Sequence, residues 1–139
     1  MDIEVDDSVE VDELVTLYDA VGWSAYTDAP DILARAVANS TIVVTARDDA
    51  GTLQGLARGL SDDATVFYLQ DILVHPRCQR SGVGRRLLAV CLQWYGHVRQ
   101  KVLLTDAEPA QHAFYERLGY VRSTEVSTGP LHAYVRFDA

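Results

Sequence analysis

The chain has 139 residues, 48% of them hydrophobic, and a formal net charge of −8 at pH 7. We therefore predict a single globular domain over residues 1–139, and the acidic balance argues against nucleic acid as a partner. The N-terminus lacks the apolar core of a signal peptide, and every apolar run is shorter than the roughly 18 residues of a membrane span. These features predict a cytoplasmic protein with no membrane partner. Two cysteines are too few for a disulfide framework or a metal cage, so no metal is expected.

The first half of the chain predicts an edge strand, two helices and a β-hairpin. Apolar residues recur at helical spacing over residues 11–21, and Gly22 is placed to end that helix. Pro30 suits the first turn of a second helix, whose apolar side chains, including Ile32, should face inward. The segment between these helices, residues 23–30, is a loop rich in aromatic side chains. The predicted strands are residues 2–5, 41–47 and 53–60, and the second helix runs from residue 30 to about residue 39.

The second half of the chain predicts alternating strands and helices. The helix after the long strand carries an apolar stripe that reaches Trp94, and Gly119 caps the last helix. A short apolar strand at residues 101–105 is typical of the interior of a parallel sheet. This order predicts an α+β fold, in which a mixed sheet carries helices on both faces. The predicted elements are strands at 64–74, 101–105, 120–124 and 131–137, and helices that begin near Gly84 and run over 109–118.

The junction between the long strand and the next helix predicts an anion site. Glycines at the mouth of a helix let backbone N–H groups approach a ligand, and the first N–H groups of a helix have no internal partner. The positive end of the helix dipole adds to this attraction, so a pyrophosphate can bind here. Arg80 and Arg85 flank the glycines Gly82 and Gly84 in an otherwise acidic chain. Arginine can hold phosphate oxygens through two N–H bonds at once.

The spacing of these glycines differs from that of the common nucleotide loops. A P-loop needs a lysine after its last glycine and a Rossmann fingerprint needs a third glycine, and this segment has neither. The run from Gln79 to Gly84 instead resembles the acetyl-CoA signature of the GNAT superfamily of N-acetyltransferases, Gln/Arg-x-x-Gly-x-Gly/Ala. Residues 114–120 resemble the Phe-Tyr-x-x-x-Gly-Phe/Tyr element that closes the cofactor site in that superfamily. The resemblance is specific over roughly residues 64–124.

The resemblance implies a mostly antiparallel, twisted sheet in which a central pair of strands splays apart at a bulge. It implies acetyl-CoA as co-substrate, held by freed backbone groups of the long strand and by the glycine turn. It also implies that the hydroxyl of Tyr115 points at the cofactor sulfur, where a phenol of pKa about 10 can protonate the departing thiolate. The alternative for Tyr115 is a packing residue with its hydroxyl bound to backbone. The implied cofactor-binding residues are Ile72, Leu73, Val74, Gln79, Arg80, Ser81, Gly82, Val83, Gly84 and Arg85.

The general base is the least defined part of the predicted site. Residues 70–74 resemble the Glu-Asp-Ile/Val-x-Val stretch of glucosamine-phosphate acetyltransferases, with Gln70 in place of the first acid. Strand alternation predicts that Gln70 and Asp71 point to opposite faces. Asp71 is either a catalytic residue that holds the acceptor amine or a water, or a buried acid bound by backbone N–H groups. The loss of an acid at Gln70 leaves a water relay as another route for the proton.

The acceptor site is expected in the segment between the first two helices, which is variable in the superfamily. Here it offers Tyr18, Trp23, Tyr26 and Thr27, with acidic neighbours that suit a small cationic or aromatic amine. Trp23 could equally be a hydrophobic lid over the two helices. We predict Trp23, Tyr26 and Gln70 as the substrate-binding residues.

These expectations converge on an N-acetyltransferase that moves an acetyl group from acetyl-CoA to a primary amine of a small or amino-acid-like acceptor. Two alternatives remain open at this stage. One is a CoA-binding sensor or accessory protein without turnover, and the other is an enzyme that acetylates a protein N-terminus or lysine. The last predicted strand alternates apolar and polar residues and leaves an unpaired edge, so we also expect a homodimer formed through it.

Overall fold

The computed structural model describes residues 1–6 and 8–138. Its centre is a five-stranded sheet whose strands lie in chain order from β1 to β5. Neighbouring strands are antiparallel from β1 to β4, and β5 lies parallel to β4. The strands are β1 (Asp2–Val5), β2 (Ile42–Arg47), β3 (Leu53–Ser61), β4 (Val66–Val74) and β5 (Gln100–Leu103). This confirms the predicted mixed, mostly antiparallel sheet.

Five helices accompany the sheet in the described part of the chain. Pro30 occupies the first turn of its helix, as predicted, and Gly22 follows the first helix with a φ of 80° that favours glycine. The aromatic segment predicted as a loop contains a short helix. The helices are α1 (Val11–Ala20), α2 (Ser24–Thr27), α3 (Pro30–Ala38), α4 (Val83–Trp94) and α5 (Pro109–Glu116). Among the described residues, none of these helices combines the length and apolar content needed to cross a membrane.

Apolar side chains from α1 and α3 form the main core against one face of the sheet. Leu14 and Leu33 are 1% exposed and pack in a cluster with Leu56 of β3 and Leu73 of β4. On the opposite face, a side chain added at Gly55 would meet Leu87 of α4 at 3.2 Å, so α4 covers that side. Helices therefore cover both faces, as predicted.

Two apolar residues expected in the core lie at the surface instead. Ile32 is 59% exposed and Trp94 is 57% exposed. Both stand at the border of an apolar stripe, where helical periodicity alone does not decide whether the neighbouring layer reaches far enough to cover the side chain.

A β-bulge interrupts the pairing of β3 with β4 and changes which face the side chains of β4 occupy. Arg58 lies opposite Asp71 and Gly59 lies opposite Leu69, so Gln70 is the extra residue of the bulge. Because Arg58 and Gly59 point to opposite faces, Leu69 and Asp71 do so as well. Without the bulge these two residues, which are two positions apart, would share a face. The bulge therefore turns Asp71 towards the face covered by α1 and α3.

The chain divides into two compact units, Met1–Leu104 and Thr105–Ala139, and each is described by itself. The first contains the sheet with α1 to α4, and the second contains α5 and a 3₁₀ turn at Ser123–Glu125. The single domain over residues 1–139 stays a prediction.

The two strands predicted at residues 120–124 and 131–137 are wrong for the described structure, which has no strand after β5. The expected interior position of β5 is wrong for the same reason, since β5 pairs only with β4 in the described sheet. Alternation of apolar and polar residues sets the preferred faces of an extended segment, but a strand also needs a partner for its backbone groups. In the described residues this segment forms no strand, and its side chains Tyr134 and Phe137 are 95% and 89% exposed.

Candidate active site

The first part of the site is the connection from β4 to α4. His75 leaves the strand and accepts a hydrogen bond from the Arg77 N–H at 3.1 Å, which starts a 3₁₀ turn at Pro76–Cys78. His75 therefore belongs to the turn between β4 and α4. Gly82 then caps α4 with a φ of 85°, a left-handed conformation that glycine adopts without strain. The connection thus presents the glycine turn at the N-terminus of a twelve-residue helix.

The backbone geometry of this turn suits an anion. The first intrahelical bond of α4 runs from the Arg86 N–H to the Gly82 carbonyl at 3.1 Å, so the N–H groups of Val83, Gly84 and Arg85 precede it at the positive end of the helix. An added Cβ at Gly82 would meet no atom within 4 Å, so the space in front of the turn is open. Arg80 also has a positive φ of 63°, which is uncommon for arginine and costs free energy.

The arginines beside the turn differ in what they contact. Arg80 and Arg85 have exposed side chains. Arg86, by contrast, donates to the Met1 carbonyl at 3.2 Å. Arg80 and Arg85 are therefore the two arginines best placed to add positive charge next to the glycine turn.

The second part of the site is the edge of β4 beyond the bulge. Pairing with β5 covers β4 only from Val66 to Leu69, whereas pairing with β3 continues to Val74. Within the described residues, the backbone from Gln70 to Val74 therefore has no strand partner on the β5 side. The Gln79 side-chain amide donates to the Val74 carbonyl at 3.0 Å and ties this edge to the glycine turn.

The third part is a buried polar cluster around Asp71, whose side chain is only 3% exposed. The Arg58 Nε donates to Asp71 Oδ2 at 2.6 Å. The Tyr18 hydroxyl donates to the same oxygen at 2.9 Å, and the Tyr26 hydroxyl donates to Oδ1 at 2.8 Å. Asp71 is therefore a buried acid, but its partners are side chains from α1, α2 and β3, where the sequence suggested backbone N–H groups.

Burial and charge shift the pKa values of the groups around Asp71. Burial raises the pKa of Tyr18 well above its usual value, and the nearby Asp71 carboxylate adds to the effect. Burial also raises the pKa of Tyr26, against a hydrogen bond with Gln70 that lowers it. For Arg58, burial lowers the pKa, but the Asp71 carboxylate outweighs it and the net shift is upward. Both tyrosines therefore carry their protons at neutral pH and donate to the carboxylate.

Gln70 and Asp71 reach the same group, contrary to the predicted opposite faces. The Gln70 side-chain amide donates to the Tyr26 hydroxyl at 3.2 Å, and that hydroxyl donates to Asp71. The bulge at Gln70 breaks the simple alternation on which the expectation depended. Gln70 is exposed and Asp71 is buried, so Tyr26 connects the surface to the buried cluster.

The Tyr26 ring packs with two other aromatic rings, those of Tyr18 and Trp23. Tyr26 lies 5.2 Å from Tyr18 and 6.2 Å from Trp23 between ring centroids. Tyr18 is fully buried, so it supports the cluster from within and does not line a surface as the sequence suggested. Trp23 and Tyr26 are partly buried and pack against the main core, which is the lid arrangement considered for Trp23. The Tyr26 hydroxyl contacts Gln70, and Trp23 lies next to the Tyr26 ring.

Sequence reasoning missed Arg58. It is an arginine within a strand whose other members are mostly apolar, and it is only 6% exposed. A buried arginine needs a carboxylate partner, so this isolated charge was a usable signal. The partner could not be named from the sequence, because the bulge brings Asp71 opposite Arg58.

Tyr115 lies in the second unit, on the last full turn of α5. It is 8% exposed, and its ring meets Phe114 edge-on at 5.0 Å between centroids. Burial raises the pKa of its hydroxyl, and a hydrogen bond with Thr105 acts in the opposite direction. The hydroxyl therefore remains protonated through the neutral range, which is the form a proton donor requires.

The described residues contain no group of three or more His, Cys, Asp or Glu side chains that could hold a metal ion. The arrangement instead combines an anion-binding turn, a strand edge beside it and a polar cluster with aromatic rings at one end. These parts lie on a mixed, mostly antiparallel sheet with helices on both faces. A sequence model described as "Acetyltransferase (GNAT) domain" matches residues 38–122, more than half of the chain. The chain belongs to the GNAT acetyltransferases.

Known proteins similar to this chain agree with that assignment. An uncharacterized N-acetyltransferase, ycf52, from Pyropia yezoensis is 27% identical over 121 residues, which cover 85% of this chain and 68% of the relative. A GNAT-family acetyltransferase from Streptococcus pneumoniae TIGR4 has the same fold, with a TM-score of 0.80 at 23% identity, covering 99% of this chain and 98% of that protein. AAC(6')-Iy, solved with a CoA-containing bisubstrate analog, gives a TM-score of 0.71 at 18% identity, covering 99% and 98%.

Proposed function

We propose that this GNAT acetyltransferase moves an acetyl group from acetyl-CoA to a primary amine of a small or amino-acid-like acceptor. The amine attacks the thioester directly while both substrates are bound. The observation that carries the proposal is the open, left-handed turn at Gly82, at the N-terminus of α4 and tied to the edge of β4. This combination offers a pyrophosphate and an extended thioester arm adjacent binding surfaces.

On the cofactor side, the backbone of the turn binds the pyrophosphate of CoA and the exposed Arg80 and Arg85 neutralise its charge. The strand edge from Ile72 to Val74 binds the pantetheine arm and polarises the acetyl carbonyl through backbone N–H groups. The strand pairing supports this role. β4 pairs with β5 only as far as Leu69, so in the described residues the β4 backbone beyond Leu69 has no strand partner on the β5 side. The full proposed set is Ile72, Leu73, Val74, Gln79, Arg80, Ser81, Gly82, Val83, Gly84 and Arg85.

On the acceptor side, Trp23, Tyr26 and Gln70 bind the amine substrate. Aromatic faces attract a cationic or aromatic amine, and the Gln70 amide supplies a polar contact beside them. Asp71 remains a proposed catalytic residue, in direct contact with the amine or with a bound water. Its contact with the Tyr26 hydroxyl at 2.8 Å supports its place on this side of the reaction.

Tyr115 is the proposed proton donor to the departing CoA thiolate. Its support is the intact aromatic and glycine element around it, together with a hydroxyl that stays protonated at neutral pH. No metal takes part in the proposed reaction.

Two other functions fit the family and are distinguished by experiment. A CoA-binding sensor binds acetyl-CoA without turnover, and a protein acetyltransferase prefers a peptide N-terminus or lysine to small amines. The aromatic pair Trp23 and Tyr26 beside Gln70 favours a compact acceptor. The cytoplasmic location stays a prediction, and so does the homodimer, which sedimentation equilibrium over a wide concentration range tests directly.

The function is tested by following release of the CoA thiol from acetyl-CoA with a panel of small amines and peptides. We expect turnover with small amines, and we expect Trp23→Ala to raise the acceptor KM while the acetyl-CoA KM is nearly unchanged. Binding of acetyl-CoA without thiol release from any amine or peptide would establish the sensor. Turnover with peptides alone would establish a protein acetyltransferase.

Substitution of Gly82 tests the cofactor side. Gly82→Val places a branched side chain in the open space before the turn and strains a φ of 85°. We expect acetyl-CoA affinity, measured by calorimetry, to fall by about tenfold or more because the side chain keeps the phosphate from the backbone N–H groups.

The matched control for Gly82→Val is Gly22→Val. Gly22 has a φ of 80° and equally open surroundings, so valine there carries the same backbone strain at the end of α1. Gly22→Val should keep wild-type acetyl-CoA affinity. Equal losses of affinity in the two variants would mean that strain, and not the loss of a phosphate site, causes the effect.

A further inference from the structure

We propose that Arg58 is a positioning residue for the acceptor: it fixes the Asp71 carboxylate, which accepts from the Tyr26 hydroxyl and, with Gln70, sets the polar end of the acceptor pocket. This inference rests on the proposed function of the same site. It assigns a role to a buried residue of β3 that does not reach the cofactor turn or the surface.

The contacts of Arg58 show how it is itself held. Its Nε bonds Asp71 Oδ2 at 2.6 Å, and its Nη1 lies 3.3 Å from the Ser40 hydroxyl. Ser40 in turn donates to the Ala36 carbonyl at 2.8 Å, so the guanidinium is anchored to the end of α3. The guanidinium carbon also lies 5.9 Å from the centre of the Tyr26 ring. Arg58 therefore contacts both groups that it is proposed to align.

Arg58 is the charged partner of a side chain that is almost fully buried. Asp71 is 3% exposed, and a buried carboxylate needs a cationic hydrogen-bond donor to offset its burial. The titratable and charged groups facing it are Tyr18 from α1, Tyr26 from α2 and Arg58 from β3. Of these, Arg58 alone is a cation, and both tyrosines are donors that need an acceptor. Removal of Arg58 would leave the Asp71 side chain free to shift and would weaken both tyrosine bonds together.

Tyr26 transmits this arrangement to the acceptor pocket. Its hydroxyl has the Gln70 amide on the exposed side at 3.2 Å and Asp71 on the buried side at 2.8 Å. α2, which carries Tyr26, has only four residues and therefore little rigidity of its own. Ring packing with Tyr18 and Trp23 holds the Tyr26 ring, and the hydrogen bond to Asp71 directs its hydroxyl.

The test compares Arg58→Met, Arg58→Lys and the double variant Arg58→Met/Asp71→Asn. In Arg58→Met we expect the acceptor KM to rise by about tenfold or more, with the acetyl-CoA KM unchanged within about twofold. Arg58→Lys keeps a cationic donor beside Asp71 and should recover much of the wild-type acceptor KM.

The double variant separates positioning from structural support. Replacement of both members of a buried ion pair by neutral groups avoids an unpaired buried charge, so it should recover much of the thermal stability lost in Arg58→Met. The acceptor KM should remain raised, because the carboxylate that holds Tyr26 is gone. Recovery of the wild-type acceptor KM together with stability would overturn the proposal and leave Arg58 with a structural role.

Arg47→Met is the matched control. Arg47 of β2 forms an ion pair with Glu13 of α1 at the same 2.6 Å distance, although this pair is partly exposed. In the described part of the chain, the hydrogen bonds of its side chain reach neither Tyr26 nor Gln70. The substitution should lower stability and leave the acceptor KM unchanged. The same kinetic change in Arg47→Met and Arg58→Met would contradict a specific role for Arg58.

A crystal structure of Arg58→Met separates failure of this inference from failure of the proposed function. The Tyr26 hydroxyl, 2.8 Å from Asp71 Oδ1 in the wild type, should lie outside hydrogen-bond distance of Asp71 in the variant. If the wild-type protein acetylates no amine, the proposed function fails while this distance still decides the positioning role. A Tyr26 hydroxyl that keeps its bond to Asp71 in Arg58→Met would overturn the inference even in an active enzyme.

Discussion

Substitution of Tyr115 by phenylalanine is expected to lower turnover by roughly a hundredfold while acetyl-CoA binding changes little. The ring stays and keeps its edge-on contact with Phe114 at 5.0 Å, so packing is preserved. What is lost is the hydroxyl proton, which burial keeps in place at neutral pH by raising the pKa. The measurements are single-turnover acetyl transfer and acetyl-CoA binding by calorimetry.

Two controls make this result interpretable. Tyr134→Phe removes a hydroxyl from a tyrosine of the same unit that is 95% exposed, and it should leave the rate unchanged. Thermal unfolding of Tyr115→Phe should show a loss of only about 1 kcal/mol, the usual effect of one hydrogen bond. Single-turnover data are needed because slow product release can hide a chemical defect. An unchanged single-turnover rate would exclude Tyr115 as the proton donor.

Gly59→Ala is expected to lower the free energy of unfolding by about 2 kcal/mol or more. A Cβ at this position of β3 would lie 2.6 Å from Phe67 Cζ and 3.0 Å from the Tyr68 carbonyl oxygen, and neither can move freely. Phe67 is fully buried and stacks on Tyr95 at 5.0 Å, so displacement of its ring disturbs a second aromatic side chain. Urea unfolding of the variant and the wild type measures the loss.

Gly55→Ala is the matched control for Gly59→Ala, because it lies four residues earlier on the same strand and face. Its nearest contact would be 3.2 Å from Leu87 Cδ1, the end of a flexible side chain that can shift by a few tenths of an ångström. Gly55→Ala should therefore lower the free energy of unfolding clearly less than Gly59→Ala does. A double-mutant cycle with Phe67→Leu should show that Gly59→Ala lowers the free energy of unfolding less in the Phe67→Leu background than in the wild type, since the smaller side chain relieves the clash. Equal losses at both glycines would mean that strand backbone effects outweigh the ring contact.

Much of the fold was predictable because it is encoded locally. The helical spacing of apolar residues over residues 11–21 predicted α1, and Pro30 and Gly22 marked a helix start and a helix end where the structure has them. The hairpin between β2 and β3 was likewise predicted by its turn residues. Each of these elements depends on backbone preferences and on an apolar face that neighbouring residues define.

The errors have a common physical origin in partners that sequence patterns do not contain. Residues 131–137 alternate like a strand, but the described chain supplies no ladder for them, and β5 is left at the sheet edge. Ile32 follows helical spacing and is nonetheless exposed, because no neighbouring layer extends over it. Pattern indicates what a segment can bury, and the arrangement of the other elements decides whether it does.

The sequence by itself determined the proposed cofactor side of this protein. Gly82, its neighbours and the helix after them form a turn whose local backbone geometry suits an anion, and the same residues carry the family resemblance. Only the tertiary structure decided the proposed acceptor side. A single extra residue at Gln70 turns Asp71 to the face where Arg58 and two tyrosines lie, and these residues are 13 to 53 positions from it in the chain. Strand register is set by the pairing of whole elements, so a contact of this kind is absent from any local pattern.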